Sequence, residues 1–345
     1  MYIAYDENKK SFNSIDEIIA KNKRYFCPIC NSEVIYKKGV KIQSHFAHIK
    51  NSACSITSYK RESKEHLDVK KSLYNHFKQK YINVLLEYIF KVNSNIQIAD
   101  IYIKDKNIAL EYQRSIISHK ILNQRTVGYK DANIKLIWLI DINKFIKILS
   151  LRENIYHIRY APFVENFFNY QEGHIFFYGY DREKEAILFY EIYSCNLKKH
   201  HALALITRYN LKDFDFPLTF TLSKKKLVTK IYKSDIENYV YVQLKFDKTV
   251  KNKLLSLFYQ SRIKLNNIPN LIGKNINEQL LISTPLLMWQ TKIYVMLQNN
   301  KTYQEILDYM LNYIKVIDSI YISEKDKVKI IEKVVRAYYM RLSQP

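Results

Sequence analysis

Glycine and proline are scarce in this chain, at 5 and 6 of 345 residues, so long flexible linkers between folded parts are not expected. The sequence also lacks an apolar run of about 18 residues or more, the length that a membrane-spanning helix needs, so we expect no transmembrane segment. Its first residues, Met1 to Asp6, lack a basic stretch followed by an apolar one. We therefore expect no secretory signal.

Cysteine is rare too, and its placement is informative. The chain has four cysteines, of which two form one tight pair, Cys27 and Cys30. That usage fits a reducing compartment and a metal site better than a framework of disulfides. The expected location is the cytoplasm.

Acidic residues are few relative to basic ones, 33 against 55, which gives a net charge of +22. An AT-rich genome explains part of the lysine content, but it does not explain the shortage of acidic residues. A field of this size favours a polyanionic partner. Nucleic acid is the first candidate because phosphates attract cations independently of sequence, and an anionic membrane surface is the second.

The length suggests two or three folded units, with predicted bounds of 1–57, 58–150 and 151–345. In the second unit, apolar residues spaced by three and four predict a helix over 63–80. Strand-like runs follow at 84–92, 96–103 and 108–113, then a helix over 115–132 and a continuous apolar strand at 135–140. This αβββαβ order predicts an α/β fold with a mixed sheet. Beyond 150 the pattern is mixed, and from about 245 it is largely helical.

Two acidic residues interrupt apolar strands that a tight turn connects. Asp100 lies in the second strand and Glu111 in the third, where an unpaired carboxylate would be costly to bury. Two carboxylates that converge at one sheet edge can share a divalent cation such as Mg²⁺ or Mn²⁺, which activates water and neutralises charge on a phosphoryl group. The alternative is that both are surface carboxylates of edge strands.

Cysteine and histidine cluster in the first unit. Cys27 and Cys30 flank two residues, and His45 and His48 follow within one short segment. Two thiolates and two imidazoles form a closed tetrahedral site for Zn²⁺, and the close histidines predict a knuckle or treble-clef-like module. Cys54 is the substitute ligand if one histidine does not bind, and a reduced cysteine pair with surface histidines is the alternative.

The order of the motifs is more distinctive than any one of them. From the N-terminus they are Cys27-Pro28-x-Cys30, His45-Phe46-Ala47-His48, Glu62-Ser63-x-Glu65-His66-Leu67, Ala99-Asp100-Ile101, Ala109-Leu110-Glu111-x-Gln113-x-Ser115, Arg125-Thr126-x-Gly128-Tyr129 and Ile137-Trp138-Leu139-Ile140. The central part resembles the PD-(D/E)XK nuclease superfamily, and the whole series resembles the competence protein CoiA family.

The superfamily resemblance implies a restriction-endonuclease-like core and a role for individual residues. Asp100 and Glu111 match the metal-binding acids, and Glu65 matches a helical glutamate that supports the metal or the water. Gln113 stands where the superfamily usually has lysine; it can orient water but cannot act as a base. Arg125 and Tyr129 match a pair that faces DNA.

The CoiA resemblance implies a cytoplasmic protein that acts on DNA, single-stranded or branched, during natural transformation and homologous recombination. It also implies a link to the strand-exchange recombinase. The resulting hypothesis is a metal-dependent deoxyribonuclease.

Two other functions stay open. One is a non-catalytic DNA-binding protein on a decayed nuclease fold, which the missing lysine favours, with basic runs such as Lys224, Lys225 and Lys226 as DNA contacts. For a single basic run, a solvated surface is the simpler interpretation. The other is a protein–protein adaptor that uses the helical C-terminal region.

Overall fold

A computed structural model describes residues 1–40, 42–49, 54, 62–92, 95–216, 222, 227, 229–247, 249 and 251–342. The chain divides into two compact units. Unit 1 comprises Met1–Lys144, Tyr178–Leu188 and Arg208–Thr219, and unit 2 comprises Phe145–Phe177, Phe189–Thr207 and Phe220–Pro345. Unit 1 therefore includes residues of both the first and the second predicted domain, up to Lys144. Within the described part of the chain, no helix is both long and apolar enough to cross a bilayer.

Unit 1 begins with a small antiparallel sheet. Its strands are β1 (Ile3–Tyr5), β2 (Ser11–Asn13), β3 (Tyr25–Phe26), β4 (Glu33–Lys37) and β5 (His45–His48), in the order β2-β1-β3-β4-β5. Between β3 and β4 the chain turns at the cysteine pair, where the Cys27 amide donates to the Ser32 carbonyl. Asn31 adopts a left-handed conformation in that turn, with φ of 56°.

The central part of unit 1 has the predicted αβββαβ order. It consists of α1 (Lys64–Lys80), β6 (Val84–Val92), β7 (Asn95–Ile103), β8 (Ile108–Gln113), α2 (His119–Asp131) and β9 (Lys135–Asp141). Strands β6, β7 and β8 pair antiparallel, whereas β9 runs parallel to β8. The prediction of an α/β fold with a mixed sheet is confirmed.

The register of this sheet brings the two predicted acids to one end of a hairpin. Ile101 on β7 pairs with Leu110 on β8, so Asp100 and Glu111 are the next residues outward on the two strands. The Tyr112 amide donates to the Asp100 carboxylate at 2.9 Å, which fixes that side chain against β8.

Helix α1 covers one face of this sheet. The Ser63 hydroxyl accepts a hydrogen bond from the His66 amide and caps the helix, as expected for a serine at this position. Its apolar side chains, including Leu73 and Phe77, are fully buried in a core shared with β7, β8 and β9. The N-terminal turn of α1 is thereby held against the sheet edge that carries Asp100.

The rest of the chain supplies six strands and six helices among the described residues. They are α3 (Ile142–Phe145), β10 (Ile146–Arg152), β11 (Ile155–Tyr160), β12 (Asn169–Gln171), β13 (His174–Asp181), β14 (Ala186–Tyr193), β15 (His201–Asn210), α4 (Lys233–Phe246), α5 (Lys253–Gln260), α6 (Leu286–Gln298), α7 (Tyr303–Tyr313) and α8 (Glu324–Leu342). In unit 2, β11 pairs antiparallel with β10 and with β15. The predicted change from mixed to largely helical structure is confirmed.

Replacing Leu73 by alanine tests whether α1 depends on this core. We expect the free energy of unfolding to fall by about 2–5 kcal/mol because the change leaves a cavity under the helix. Urea denaturation followed by circular dichroism measures it. As a control, Ile82→Ala changes a side chain that is 94% exposed and should stay within about 0.5 kcal/mol of wild type. Equal losses in the two variants would contradict the packing described for α1.

Candidate active site

A cleft of about 350 Å³ lies in unit 1 at the end of β7 and β8 where Asp100 and Glu111 are found. Residues from the start of α1, from β6, β7 and β8, and from α2 form its walls. It therefore collects side chains that are far apart in the sequence around the two predicted acids.

Three side chains in the cleft form a group that can hold a metal ion. The ligand atoms of Glu62, His66 and Asp100 all lie within 4.8 Å of one another. His66 Nε2 is 3.4 Å from Asp100 Oδ1 and 3.5 Å from Glu62 Oε1. Asp100 was expected here, whereas Glu62 and His66 were not assigned a role from the sequence.

Lys70 is buried beside this group. Its ammonium is 2.6 Å from Glu62 Oε1, 2.6 Å from Glu87 Oε1 and 4.0 Å from Asp100 Oδ1, and its side chain is 1% exposed. Glu87 has a φ of 50°, a conformation that a residue with a side chain rarely adopts. Lys70 thus supplies a fixed positive charge among three carboxylates.

Neighbouring charges set the protonation state of Asp100 and Glu62, the two carboxylates in the group that can hold a metal ion. Burial alone would raise the pKa of Asp100, but the charges of His66, Lys70 and Arg125 outweigh it and hold that pKa well below its ordinary value. Burial would likewise raise the pKa of Glu62, but the charge of Lys70 outweighs burial, and the pKa of Glu62 lies below its ordinary value. Both carboxylates are consequently ionised at neutral pH and available as ligands.

The pKa of His66 moves in the opposite direction. Burial alone would lower it, but Asp100 and Glu62 favour the protonated ring, and the net pKa lies above its ordinary value. A cation that binds to this imidazole must therefore compete with a proton.

Glu111 has a different environment, although it is close in the sheet to Asp100. Its Oε1 accepts from the Arg125 guanidinium at 2.6 Å and from the Tyr129 hydroxyl. Burial, with a further contribution from Asp100, raises the pKa of Glu111 to about 7 despite Arg125. Two neighbouring carboxyl groups with pKa values this far apart are suited to different roles.

This arrangement corrects the expectation that Tyr129 faces DNA, whereas Arg125 lines the cleft and its contact with DNA stays a prediction. Tyr129 is fully buried, and its hydroxyl also donates to the Ile98 carbonyl at 3.3 Å. Arg125 is half-buried over the Trp138 ring, with 5.2 Å between guanidinium carbon and ring centre. Both residues hold Glu111, because the inner face of α2 packs on the sheet.

Glu65 lies at the mouth of the site and outside the metal-binding group. Its side chain is 40% exposed and forms an ion pair with Arg114 at 3.2 Å. Arg114 also donates to Ser63 Oγ and to Asp141 Oδ2, each at 3.0 Å. The glutamate beside Asp100 is therefore Glu62, which lies two residues before α1, because α1 directs Glu65 towards Arg114 instead.

Gln113 is buried and lines the cleft. Its amide nitrogen donates to the Ser115 carbonyl, so its orientation is fixed. The predicted role in orienting water stays a prediction.

Cysteine and histidine side chains form a second group in unit 1. The ligand atoms of Cys27, Cys30, His48 and Cys54 lie within 4.8 Å of one another, and Cys30 Sγ is 3.4 Å from His48 Nε2. Three thiols and one imidazole are a donor set that can bind zinc. Burial would raise the pKa of Cys30, but hydrogen bonds from Ser32, His48 and Cys54 lower it overall.

His45, predicted as a ligand, is not part of this group. It lies three residues from His48 on β5, and residues an odd number of positions apart point to opposite faces of a strand. Its Nδ1 bonds instead with the Gln43 carbonyl at 2.7 Å. Cys54, considered as the substitute ligand, takes the fourth position.

The sequence held a signal for the residues that were missed. Glu62, His66 and Lys70 are spaced by four, so they lie on one side of α1 and of the turn before it.

The predicted DNA contacts Lys224, Lys225 and Lys226 lie outside the residues that the structure describes.

The cleft fits a divalent cation by its chemistry. Two ionised carboxylates and one imidazole match Mn²⁺, which accepts nitrogen as well as oxygen, better than Mg²⁺, which prefers oxygen alone. Lys70 weakens the attraction for any cation, because it already neutralises part of the negative charge.

Comparison with known proteins agrees with this layout. Residues 62–224 match the family model for the nuclease-like domain of competence protein CoiA, residues 8–57 that for its N-terminal domain and residues 229–331 that for its C-terminal domain. The competence protein CoiA of Bacillus subtilis (strain 168) is 24% identical over 286 residues, which cover 80% of this chain and 72% of that protein. No solved structure matches the chain.

Replacing Lys70 by methionine tests the buried charge cluster. At pH 7 we expect the free energy of unfolding to fall by about 3–5 kcal/mol, because Glu62 and Glu87 lose their shared cation. The folded-state pKa of Glu62 is depressed, so its stabilisation is present above the unfolded value of about 4.3 and lost as pH falls below it. The difference from wild type, measured by urea denaturation, should therefore shrink towards pH 3.

The control is Lys71→Met, the same change at the next residue, which lies outside the carboxylate cluster. It should cost less than about 1 kcal/mol. A Lys70 variant as stable as this control at pH 7 would show that the cluster does not need its ammonium.

Proposed function

The chain belongs to the competence protein CoiA family, and on that basis we propose that it is a metal-dependent deoxyribonuclease of the PD-(D/E)XK type. It hydrolyses phosphodiester bonds of DNA, single-stranded or branched, during natural transformation and homologous recombination. The proposed setting is the cytoplasm, with the strand-exchange recombinase as a protein partner.

One observation carries the proposal. Glu62, His66 and Asp100 can hold a metal ion. They line the same cleft as Glu111 and Gln113. The nuclease-like family match begins at the first member of this group, residue 62. Metal ligands and a second carboxyl of raised pKa in one cleft favour hydrolysis over binding alone.

Each residue then has a role in the proposed reaction. Glu62, His66 and Asp100 would hold Mg²⁺ or Mn²⁺, and the bound cation would neutralise the charge that develops on the phosphoryl group. Gln113 orients a water molecule, and Glu111, with a pKa of about 7, accepts its proton near neutral pH.

The water oxygen forms a bond to phosphorus while the bond from phosphorus to the 3′-oxygen breaks. One proton of the water passes to Glu111, and the departing 3′-oxygen takes a proton from solvent. The products carry a 5′-phosphate and a 3′-hydroxyl.

A second function is favoured by a different observation. Lys70 and Arg125 pair with the buried carboxylates at 2.6 Å, so the site is already charge-compensated by the protein's own cations. That arrangement is expected of a non-catalytic DNA-binding protein that keeps a nuclease fold as a platform.

Cleavage of labelled linear, single-stranded and branched DNA with Mg²⁺, Mn²⁺ or EDTA decides between the two functions. We expect metal-dependent cleavage, faster with Mn²⁺, that falls at least about 100-fold in Asp100→Asn, because the cation loses a charged ligand. DNA binding should change less than about threefold, because phosphate contacts come from basic residues elsewhere.

Asp131→Asn is the matched control, since Asp131 is exposed at the end of α2, and it should cleave like wild type. Binding without cleavage by the wild type under all metal conditions would favour the non-catalytic function. Cleavage by Asp100→Asn at the wild-type rate would refute the site assignment.

The cysteine group is proposed to hold a structural Zn²⁺ through Cys27, Cys30, His48 and Cys54. Purified protein should contain about one equivalent of zinc by mass spectrometry, and Cys54→Ser should lose most of it because three ligands bind more weakly than four. His45→Ala should retain its zinc. Loss of zinc in His45→Ala with retention in Cys54→Ser would restore the two-cysteine, two-histidine site.

A further inference from the structure

Exposed aromatic side chains are concentrated in one part of unit 2. Among the described residues, five aromatic side chains are more than two-fifths exposed: Tyr232, Tyr241, Phe246, Tyr259 and Tyr309. Four of the five fall between residues 232 and 259, on α4, α5 and the residue before α4. The chain has 30 tyrosines and 17 phenylalanines, so this concentration is not a general property of its surface.

From this surface we propose that the solvent-facing side of α4 is a binding site for single-stranded nucleic acid, with bases stacked on Tyr241 and Phe246. The proposal deepens the proposed function, on which it rests for the choice of DNA, by naming the strand state of the substrate. It does not depend on cleavage.

Helical spacing places Tyr241 beside Lys245, and Phe246 is exposed at the end of the same helix. Tyr241 and Lys245 are four residues apart, so they lie one above the other on α4. Ile236 and Val240 face the core and are buried, whereas Tyr241 is 66% and Phe246 83% exposed. The last two turns of α4 thus present two aromatic rings and an ammonium to solvent.

The net charge of the sequence that contains this face suits a phosphate backbone. Residues 230–264 contain eight basic side chains, Lys230, Lys233, Lys245, Lys248, Lys251, Lys253, Arg262 and Lys264, against three acidic ones, Asp235, Glu237 and Asp247. The net charge of +5 over this stretch is about twice the average density of a chain with +22 over 345 residues. Codon usage acts on the whole chain, so it does not explain a local excess.

A groove continues the site at the start of α4. It has a volume of about 400 Å³, and Lys230, Tyr232, Lys233 and Lys274 are among its lining residues. The Lys230 ammonium lies 5.5 Å above the ring of Tyr232, which is 60% exposed. An aromatic ring among lysines therefore occurs at both ends of α4, about 20 Å apart for a helix of this length.

These features favour single strands over duplex DNA and over a protein partner. A ring can stack only on a base whose face is free, and every base has one, so aromatic platforms bind single strands without sequence preference. The flanking lysines supply backbone contacts. A protein-docking surface has fewer lysines around its aromatic residues.

The test is fluorescence anisotropy with a labelled oligodeoxythymidylate of about 20 nucleotides, longer than the ~4–16 nucleotides that such sites cover. The full chain is used in EDTA, so that no cleavage intervenes. Tyr241→Ala with Phe246→Ala should weaken binding by about 25-fold or more, from loss of two stacked bases. Binding to a duplex of equal length should change by less than about threefold.

Salt titrations separate stacking from charge. The aromatic variant should keep the wild-type dependence of affinity on salt, whereas Lys245→Gln should lower the slope of log K against log salt by about 0.7. Tyr241→Trp should retain binding. Tyr309→Ala, an exposed tyrosine on α7, is the control and should bind like wild type.

Wild-type affinity of the double aromatic variant for the oligonucleotide would overturn the proposal and leave this face for another kind of partner. Equal weakening on single-stranded and duplex DNA would also overturn it, because stacking would then not be the source of affinity. Failure of the nuclease proposal is a separate result, since it appears as absent cleavage with the α4-dependent binding intact.

Discussion

The ammonium of Lys70 is held between two buried carboxylates, and the geometry of the candidate active site depends on that contact. Glu62 lies just before α1 and Glu87 lies on β6, so their contacts with Lys70 connect the start of α1 to β6. The other oxygen of Glu87 accepts from the backbone amides of Tyr2 and Ile3, so the first strand of the small sheet joins the same network. Three segments that are distant in sequence are therefore aligned by one buried charge.

The same ammonium limits what the site can bind. A cation at Glu62, His66 and Asp100 would lie among carboxylates that Lys70 already neutralises in part, and the proton on His66 competes for the imidazole. Lys70 nevertheless keeps Glu62 ionised at neutral pH, and His66, Lys70 and Arg125 together keep Asp100 ionised, although burial opposes ionisation of both carboxyl groups. A hydrophobic residue in its place would leave carboxyl groups that take up protons, and neutral carboxyl groups are poor metal ligands.

The sequence predicted the fold better than it predicted the site. The αβββαβ order followed from local features, namely apolar runs of strand length and helical spacing on either side, and each is visible in a short window. The partner of Asp100 was harder to predict, because it depends on how the first turn of α1 meets β7. Glu65 was favoured by motif position, yet Glu62 and His66 lie against Asp100. For the group that can bind zinc, the alternation of side chains along a strand excludes His45, and this could have been inferred once His45 and His48 were placed on a single strand.

Amino-acid composition likewise could not identify particular binding residues, because a chain rich in lysine and tyrosine offers basic and aromatic residues nearly everywhere. Most tyrosines of the described part are buried or half-buried, and the two lysines that line the candidate cleft, Lys70 and Lys144, are tied to a carboxylate and to a carbonyl group. What distinguishes the α4 face is that Tyr241 and Phe246 remain exposed where positive charge is locally dense. If these two rings were buried, the hydrophobic effect would stabilise the folded protein. Their exposure beside an excess of lysines therefore indicates a ligand with flat apolar faces and negative charge, and unstacked nucleotides combine the two.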